Sequence, residues 1–456
     1  MSDAGSRGQR FAFIDSSACN RLSSRLVRSH AMKGKNMGKR HHRRSRLDLD
    51  LRQHRLAAKA VPSGCALPTL NQWSAPLHSV SPFPIRATFQ TRDAINRFFA
   101  CVTEALLPPA ICCSLDKVTS FWWRFLFVDQ TAHHCTLALL CTLNGFFLGE
   151  PNVSHEALYH LSRAVSLVNE QLGTTKALSN STLVVVNFLV VYEIVRESRN
   201  EAEIHLKGLQ KMVDMRGGLA SLEASEDALL VLKTDIDCAL SYGTTPGFYR
   251  DRMSDVIWCL TSQGFSMIHC PIDSNPWFNE LSPTLGQLLL EVVCIGQSFD
   301  KGYKLDPYMF QEFLVSLGYR LIHFHPLGDS NPRLESKVDQ ACHIGLTVYL
   351  TTLFLRRGNR CFLRYRLIAQ QLKDIIETGL EGEHNDLMLW LLFIGGVSVL
   401  EDLDQAWLGL RIRQAAQSLE VNSWKGIQLC LTQFPWIGLL HNEAGEALWR
   451  RQEELL

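Results

Sequence analysis

The chain has no apolar run long enough to cross a bilayer. Its two most hydrophobic stretches, Leu183–Tyr192 and Leu387–Leu400, are ten and fourteen residues long, against the roughly 20 that a span requires. Both read as buried core helices, and no membrane partner is expected. The start, "MSDAGSRGQR", is polar, so no secretory signal is expected there. No C-x-x-C pair occurs, and neither does a P-loop, G-x-G-x-x-G, G-x-S-x-G or H-E-x-x-H pattern. The usual sequence grounds for a metal site, a nucleotide fold or a hydrolase are therefore missing. The 14 cysteines instead sit in apolar settings such as "FFACVTE", "AICCSL", "LLCTL" and "EVVCIG". Thiols in such settings read as small buried hydrophobes in a reducing compartment.

Charge of one sign is missing from one place. Arg25–Arg46, "RLVRSHAMKGKNMGKRHHRRSR", has nine Lys or Arg, three His and no acid. The other 37 basic side chains face 45 acidic ones, so the remainder carries a net charge of −8. A broad basic face for nucleic acid is thus not expected in the body. Arg25, Arg28, Lys39, Arg40, Arg43, Arg44 and Arg46 are the candidates for nuclear import or for loose phosphate contact. Phosphate contact is salt-sensitive and carries no base information. A solvated tail is the next reading, and base-specific recognition ranks last. Gly34, Gly38 and the scarcity of apolar residues argue against a stable helix here. Five prolines follow between Lys59 and Phe89, so residues 1–90 are read as a basic, largely disordered arm and linker.

What is abundant is helical periodicity, over 91–456. Thr91 is the expected N-cap of the first helix, which ends by Pro108-Pro109. "HEALYHLSRAVSLVNEQLG" places Leu158, Leu161, Val165, Val168 and Leu172 on one face, between a Ser154 cap and a Gly173 stop. "STLVVVNFLVVYEIV" is β-branched enough for a strand. It continues without a turn signal, however, so a buried helix capped by Ser179 or Ser181 is preferred. "EAEIHLKGLQKMVDMRGGLASL" has a narrower stripe of Ile204, Leu209, Met212 and Val213. Helices then follow to the C-terminus with no βαβ alternation, which predicts an all-α, multi-helix bundle-like domain.

The ordered set "HLSRAVSLVNEQL", buried helix, "IHLKGLQKMVDMRGGLASL" and "DIDCAL" resembles the fungal-specific transcription factor domain. "LWLLFIGGVSVL", "QAWLGLRI" and "FPWIGLLHNEAGEALW" look like that family's closing segments, while the linker and about 245–380 match least. The resemblance implies a helical regulatory region, a nuclear location and contacts with transcriptional machinery or DNA-bound factors. It also implies self-association and, by analogy alone, control of a biosynthetic gene cluster. Many relatives also carry a binuclear zinc cluster held by six thiolates. Only Cys19 and Cys65 precede residue 100, so that cluster and its base reading are not expected. A truncated gene model is one explanation of its absence.

The residues that carry the resemblance have packing explanations. Gly208 lets a neighbouring helix approach, and Gly217-Gly218 permit a left-handed stop. Arg216 is placed to meet the last carbonyls and the helix dipole. Trp390, Trp407, Trp436 and Trp449 supply apolar area. No catalytic residue, cofactor or metal is assigned. His133, His134 and Cys135 read as satisfied histidines beside a buried thiol, and Cys112-Cys113 as core. His160, His205 and Asp235 lie on separate helices and read as interhelical polar contacts. Asn180-Ser181-Thr182 reads as an N-cap region. The competing class is a helical small-molecule sensor or enzyme with a pocket between helices. A convergent set of polar residues would mark it, and none is visible in the sequence.

Overall fold

The structure is a computed structural model. It describes residues 89–99, 103–113, 126, 129–149, 153–222, 227–266, 275–328, 334, 336–357, 360–380, 384–400 and 405–454. The basic arm and all of its candidate residues lie outside these. In chain order the helices are α1 (Phe89–Arg97), α2 (Gln130–Leu148), α3 (His155–Leu172), α4 (Asn180–Val195), α5 (Arg199–Met215), α6 (Asp227–Tyr242), α7 (Met253–Ser262) and α8 (Pro283–Asp300). They continue with α9 (Pro307–Phe324), α10 (Lys337–Thr352), α11 (Arg366–Thr378), α12 (Asn385–Gly396), α13 (Gln405–Ser418), α14 (Trp424–Leu431) and α15 (Gly438–Glu454). Short helical turns occur at Thr103–Leu106, Leu219–Leu222 and Pro276–Glu280. The expected all-α class holds. Among the described residues, β structure is confined to a two-residue hairpin, Arg356–Arg357 against Arg360–Cys361, and a bridge between Cys112 and Leu305.

Six helices buried around most of their circumference form an inner row. α2 packs on α4, α4 on α6, α6 on α9, α9 on α10 and α10 on α12. α4 and α12 have no polar stripe to offer water, so they must be surrounded. In α4 every residue from Ser181 to Val190 is buried, and in α12 every residue from Leu389 to Gly396. Both are the apolar runs noted in the sequence. No helix among the described residues is long and apolar enough to cross a membrane. The amphipathic helices form the outside: α3 covers α2, α5 covers α4, α7 covers α9, and α11 covers α10 and α6.

Caps fix where the inner helices begin. Asp129 Oδ1 accepts from Ala132 N at the start of α2 (2.8 Å), and its Oδ2 accepts from Ser181 Oγ (2.6 Å), pinning α2 to α4. Ser179 accepts from Thr182 N and is the α4 cap. Ser154 likewise accepts from Ala157 N in α3, as expected. Each such cap contributes about 1 kcal/mol. Gly217 and Gly218 end α5 with φ of 102° and 81°, and Gly218 N donates to Val213 O (3.0 Å). The left-handed stop is therefore present where the glycine pair predicted it.

Several local expectations are corrected. α1 begins at Phe89, so Thr91 is a buried residue of its first turn and not its cap. In α3 the inward face is Ala157, His160, Ala164, Val168 and Leu172, whereas Leu158 is 43% exposed. Leu158, Leu161 and Val165 fall one residue out of phase with this face, whereas Val168 and Leu172 lie on it as expected. Ala157 and Ala164 win the inside because α2 lies close and small side chains admit it. In α5, Ile204 is exposed and Ala202 and Leu206 are buried in its place. Cys112 is buried, but its neighbour Cys113 faces outward.

The C-terminal third is organised around stacked rings. Trp277, Phe434 and Trp390 lie parallel, with centroids 5.7 and 5.2 Å apart. Their indole N–H groups donate to Asp386 Oδ2 and Pro435 O. Buried Trp requires such a partner. Gly345 of α10 lies directly under the Trp390 ring, where a Cβ would collide. Trp436 and Trp449 are buried as well, and Trp407 is half-buried.

Candidate functional site: a cavity in the helical core

The sequence candidates do not assemble into a catalytic set. His134 Nδ1 and His160 Nδ1 share a hydrogen bond of 2.7 Å between α2 and α3. His133 Nδ1 lies 2.9 Å from Leu126 O, and the Cys135 thiol points at Val185 O. Burial holds the His134 and His160 imidazoles down to about 4, which keeps them neutral. Asp235 is a structural hub. It accepts from Gly247 N (3.0 Å), Phe248 N (3.1 Å), Tyr319 OH (2.9 Å) and Gln210 Nε2 (3.4 Å), and so ties the segment after α6 back onto α6. His160 and Asp235 therefore spend their hydrogen bonds on different partners. Asn180 and Ser181 bond Asp227 and Asp129 as N-terminal residues of α4. Arg216 serves through its backbone, whose N–H donates to Met212 O and Val213 O. Its guanidinium makes no hydrogen bond to a carbonyl among the described residues, and its Nη1 is buried.

What the fold does bring together is a cavity of about 250 Å³ between inner helices. Leu139 and Leu143 of α2, Phe188 and Val191 of α4, Leu229 and Leu230 of α6 and Leu314 of α9 make its walls apolar. Phe354, Phe362 and Tyr365, from the segments after α10, complete it. Helix bundles place ligand sites in such positions.

Polar side chains also line this space: Asn187 of α4, Lys233, Thr234 and Asp237 of α6, Tyr308 and Gln311 of α9, and Tyr365. Lys233 and Asp237, one turn apart on α6, form an ion pair. The Lys233 ammonium sits 3.4 Å from the centroid of the Phe354 ring, a cation–π contact. Tyr365 OH donates to Asp237 Oδ1 (3.4 Å). Burial pushes the Asp237 carboxyl up and the Lys233 ammonium down, and their attraction opposes both shifts. Asn187 of α4 is 1% exposed, with neither its amide nitrogen nor its amide oxygen hydrogen-bonded. A buried donor or acceptor left unmade costs about 1–3 kcal/mol, so this side chain needs a reason.

This set was missed in the sequence. The available signals were slight: one Asn inside "LVVVNFLVVY", and a Lys and an Asp four apart inside "ALLVLKTDIDC". Among the described residues no group of three or more His, Cys, Asp or Glu has metal-holding geometry.

No curated protein and no solved structure is significantly similar to the chain. Residues 106–235 match the family model described as the fungal specific transcription factor domain, and no zinc-cluster model matches beside it. The match starts at the end of the Thr103–Leu106 turn and ends inside α6, so it contains α2, α4 and most of the α6 wall of the cavity. Over this segment the chain is similar to the fungal specific transcription factor domain, a likeness that supports a role in transcription regulation.

Proposed function

We propose that the protein regulates transcription from the nucleus, with the helical body as its regulatory unit and protein contacts as its mode of action. The family match over 106–235 carries this reading. The acidic balance of the body, net −8 outside Arg25–Arg46, favours protein surfaces over a duplex for that part. Lys39, Arg40, Arg43, Arg44 and Arg46 would deliver the chain to the nucleus or hold phosphates loosely. The partners would be DNA-bound factors, transcriptional machinery or a second copy of the chain, and the targets a biosynthetic gene cluster.

The test is deletion of the gene with transcript profiling, together with imaging of the tagged protein. Transcript changes concentrated in a gene cluster and a nuclear signal are expected. Replacing the five basic residues Lys39 to Arg46 with Ala should move the signal to the cytosol. A cytosolic wild-type protein whose deletion changes no transcript would sink the reading.

The cavity favours one addition, small-molecule sensing by the same domain. It favours this over catalysis because Lys233, Asp237 and Tyr365 are bonded to one another, which leaves no free base poised for chemistry.

A further inference from the structure

Charge decides what kind of molecule the core cavity can hold. Among the described lining residues the formal charges are Lys233 and Asp237, and these pair with one another. Tyr365 OH donates to Asp237, and Tyr308 OH accepts from Arg250 Nη2 (3.1 Å). The other polar lining residues, Asn187, Thr234 and Gln311, are neutral. An ion entering this space would shed its hydration with no free counter-charge in return. The rest of the wall is Leu, Val, Phe and Pro around about 250 Å³. Protein interiors leave few voids larger than a water molecule, and an apolar cavity of about 150 Å³ already stays dry and takes up benzene. The wall also comes from two parts of the chain. Leu139, Phe188 and Leu229 belong to the family-matched segment, whereas Leu314, Phe354 and Phe362 lie beyond it.

We propose that this cavity binds an uncharged, largely apolar small molecule of roughly ten to fifteen non-hydrogen atoms, which joins the matched segment to α9 and to the residues after α10. The Lys233 ammonium on Phe354 and the Tyr365 hydroxyl on Asp237 already hold those residues against α6. An apolar occupant excludes water from these contacts and so strengthens them. Occupancy therefore tightens the seam between α6 and residues 353–365. Binding rests on the cavity alone, whereas its regulatory consequence rests on the reading in the previous subsection.

The test is calorimetric titration of the purified full-length chain with three probes that share a ten-carbon chain: decan-1-ol, decanoate and decylammonium. Decan-1-ol should bind saturably at one site, and either ion at least about tenfold more weakly. Asp237→Asn strips Lys233 of its counter-charge, so decanoate should then bind saturably. Leu143→Trp and Leu314→Trp fill the lumen from different helices, and each should lose decan-1-ol binding while keeping its far-UV circular dichroism. Amide hydrogen exchange in the decan-1-ol complex should slow most in α2, α4 and residues 353–365.

Absence of saturable decan-1-ol binding by the wild-type chain, or an ion bound as tightly as the alcohol, overturns the proposal without any variant. So does protection from exchange centred outside the named segments, binding that survives in a folded lumen-filling variant, or an Asp237→Asn chain that still refuses decanoate. Transcript changes on gene deletion combined with no decan-1-ol binding would discard the pocket and leave the regulatory role standing. Decan-1-ol binding with unchanged transcripts would do the reverse.

Discussion

Asn187→Leu should make this protein more stable. The side chain is 1% exposed in the middle of α4, and both polar atoms of its amide lack partners. Relief of that desolvation is worth about 1–3 kcal/mol. Leu also has the better helix propensity, by a few tenths of a kcal/mol. Leu is bulkier than Asn, and overpacking a filled core costs about 1–3 kcal/mol. Here the extra volume faces a cavity of about 250 Å³, so that cost is largely avoided. The net expectation is a gain of about 1–3 kcal/mol. Thermal and urea unfolding, followed by circular dichroism, should show both midpoints rising with an unchanged urea slope. An unchanged or lowered midpoint would mean that the amide is already satisfied, and the stability argument would fail.

Three further outcomes follow from named contacts. Arg250 and Glu312 form a buried bidentate pair, 6% and 0% exposed. Glu312→Leu alone should cost about 3–5 kcal/mol because it strands a buried guanidinium, and adding Arg250→Met should recover most of the urea midpoint. Protonation opposes the fold through His134, held down to about 4 by burial and by His133 and Arg163, and through His160, held down to about 4 by burial and by His134 and His133. Unfolded imidazoles take up protons near 6.5, so the native state loses stability as pH falls from about 6.5 to about 4. His160→Gln should flatten the thermal midpoint across that window, and an unaltered pH profile would contradict the assignment. Gly218→Ala meets no atom within 4 Å but must hold φ of 81°. Its loss should be about 1–2 kcal/mol of pure backbone strain, and Gly218→Asn should lose less.

Much of the helical content was legible because each helix states its own period and its own ends. Ser154, Ser179 and Gly217-Gly218 mark boundaries by local chemistry that needs no neighbour. The apolar runs at Leu183–Tyr192 and Leu387–Leu400 announced burial on every side. The direction in which a mixed face turns was less legible. Leu158 and Ile204 have the hydrophobicity for the core. They lost it to Ala157, His160 and Ala202, because helix approach selects for size and shape as well as for polarity.

The site was hidden for a related reason. A Lys and an Asp four apart on a helix ordinarily describe a solvated surface pair, and only the position of α6 inside the row turns Lys233 and Asp237 inward. Glu312 meets Arg250 from 62 positions away, a distance over which no local pattern speaks. Sequence by itself determined that the body would be helical, where several helices would start and stop, and that the two most apolar of them would be surrounded. Those properties depend on residues within a turn or two of one another. Tertiary structure alone decided that Asn187 would be sealed beside a cavity and left unbonded. Whether a polar group is satisfied depends on what several distant segments place around it.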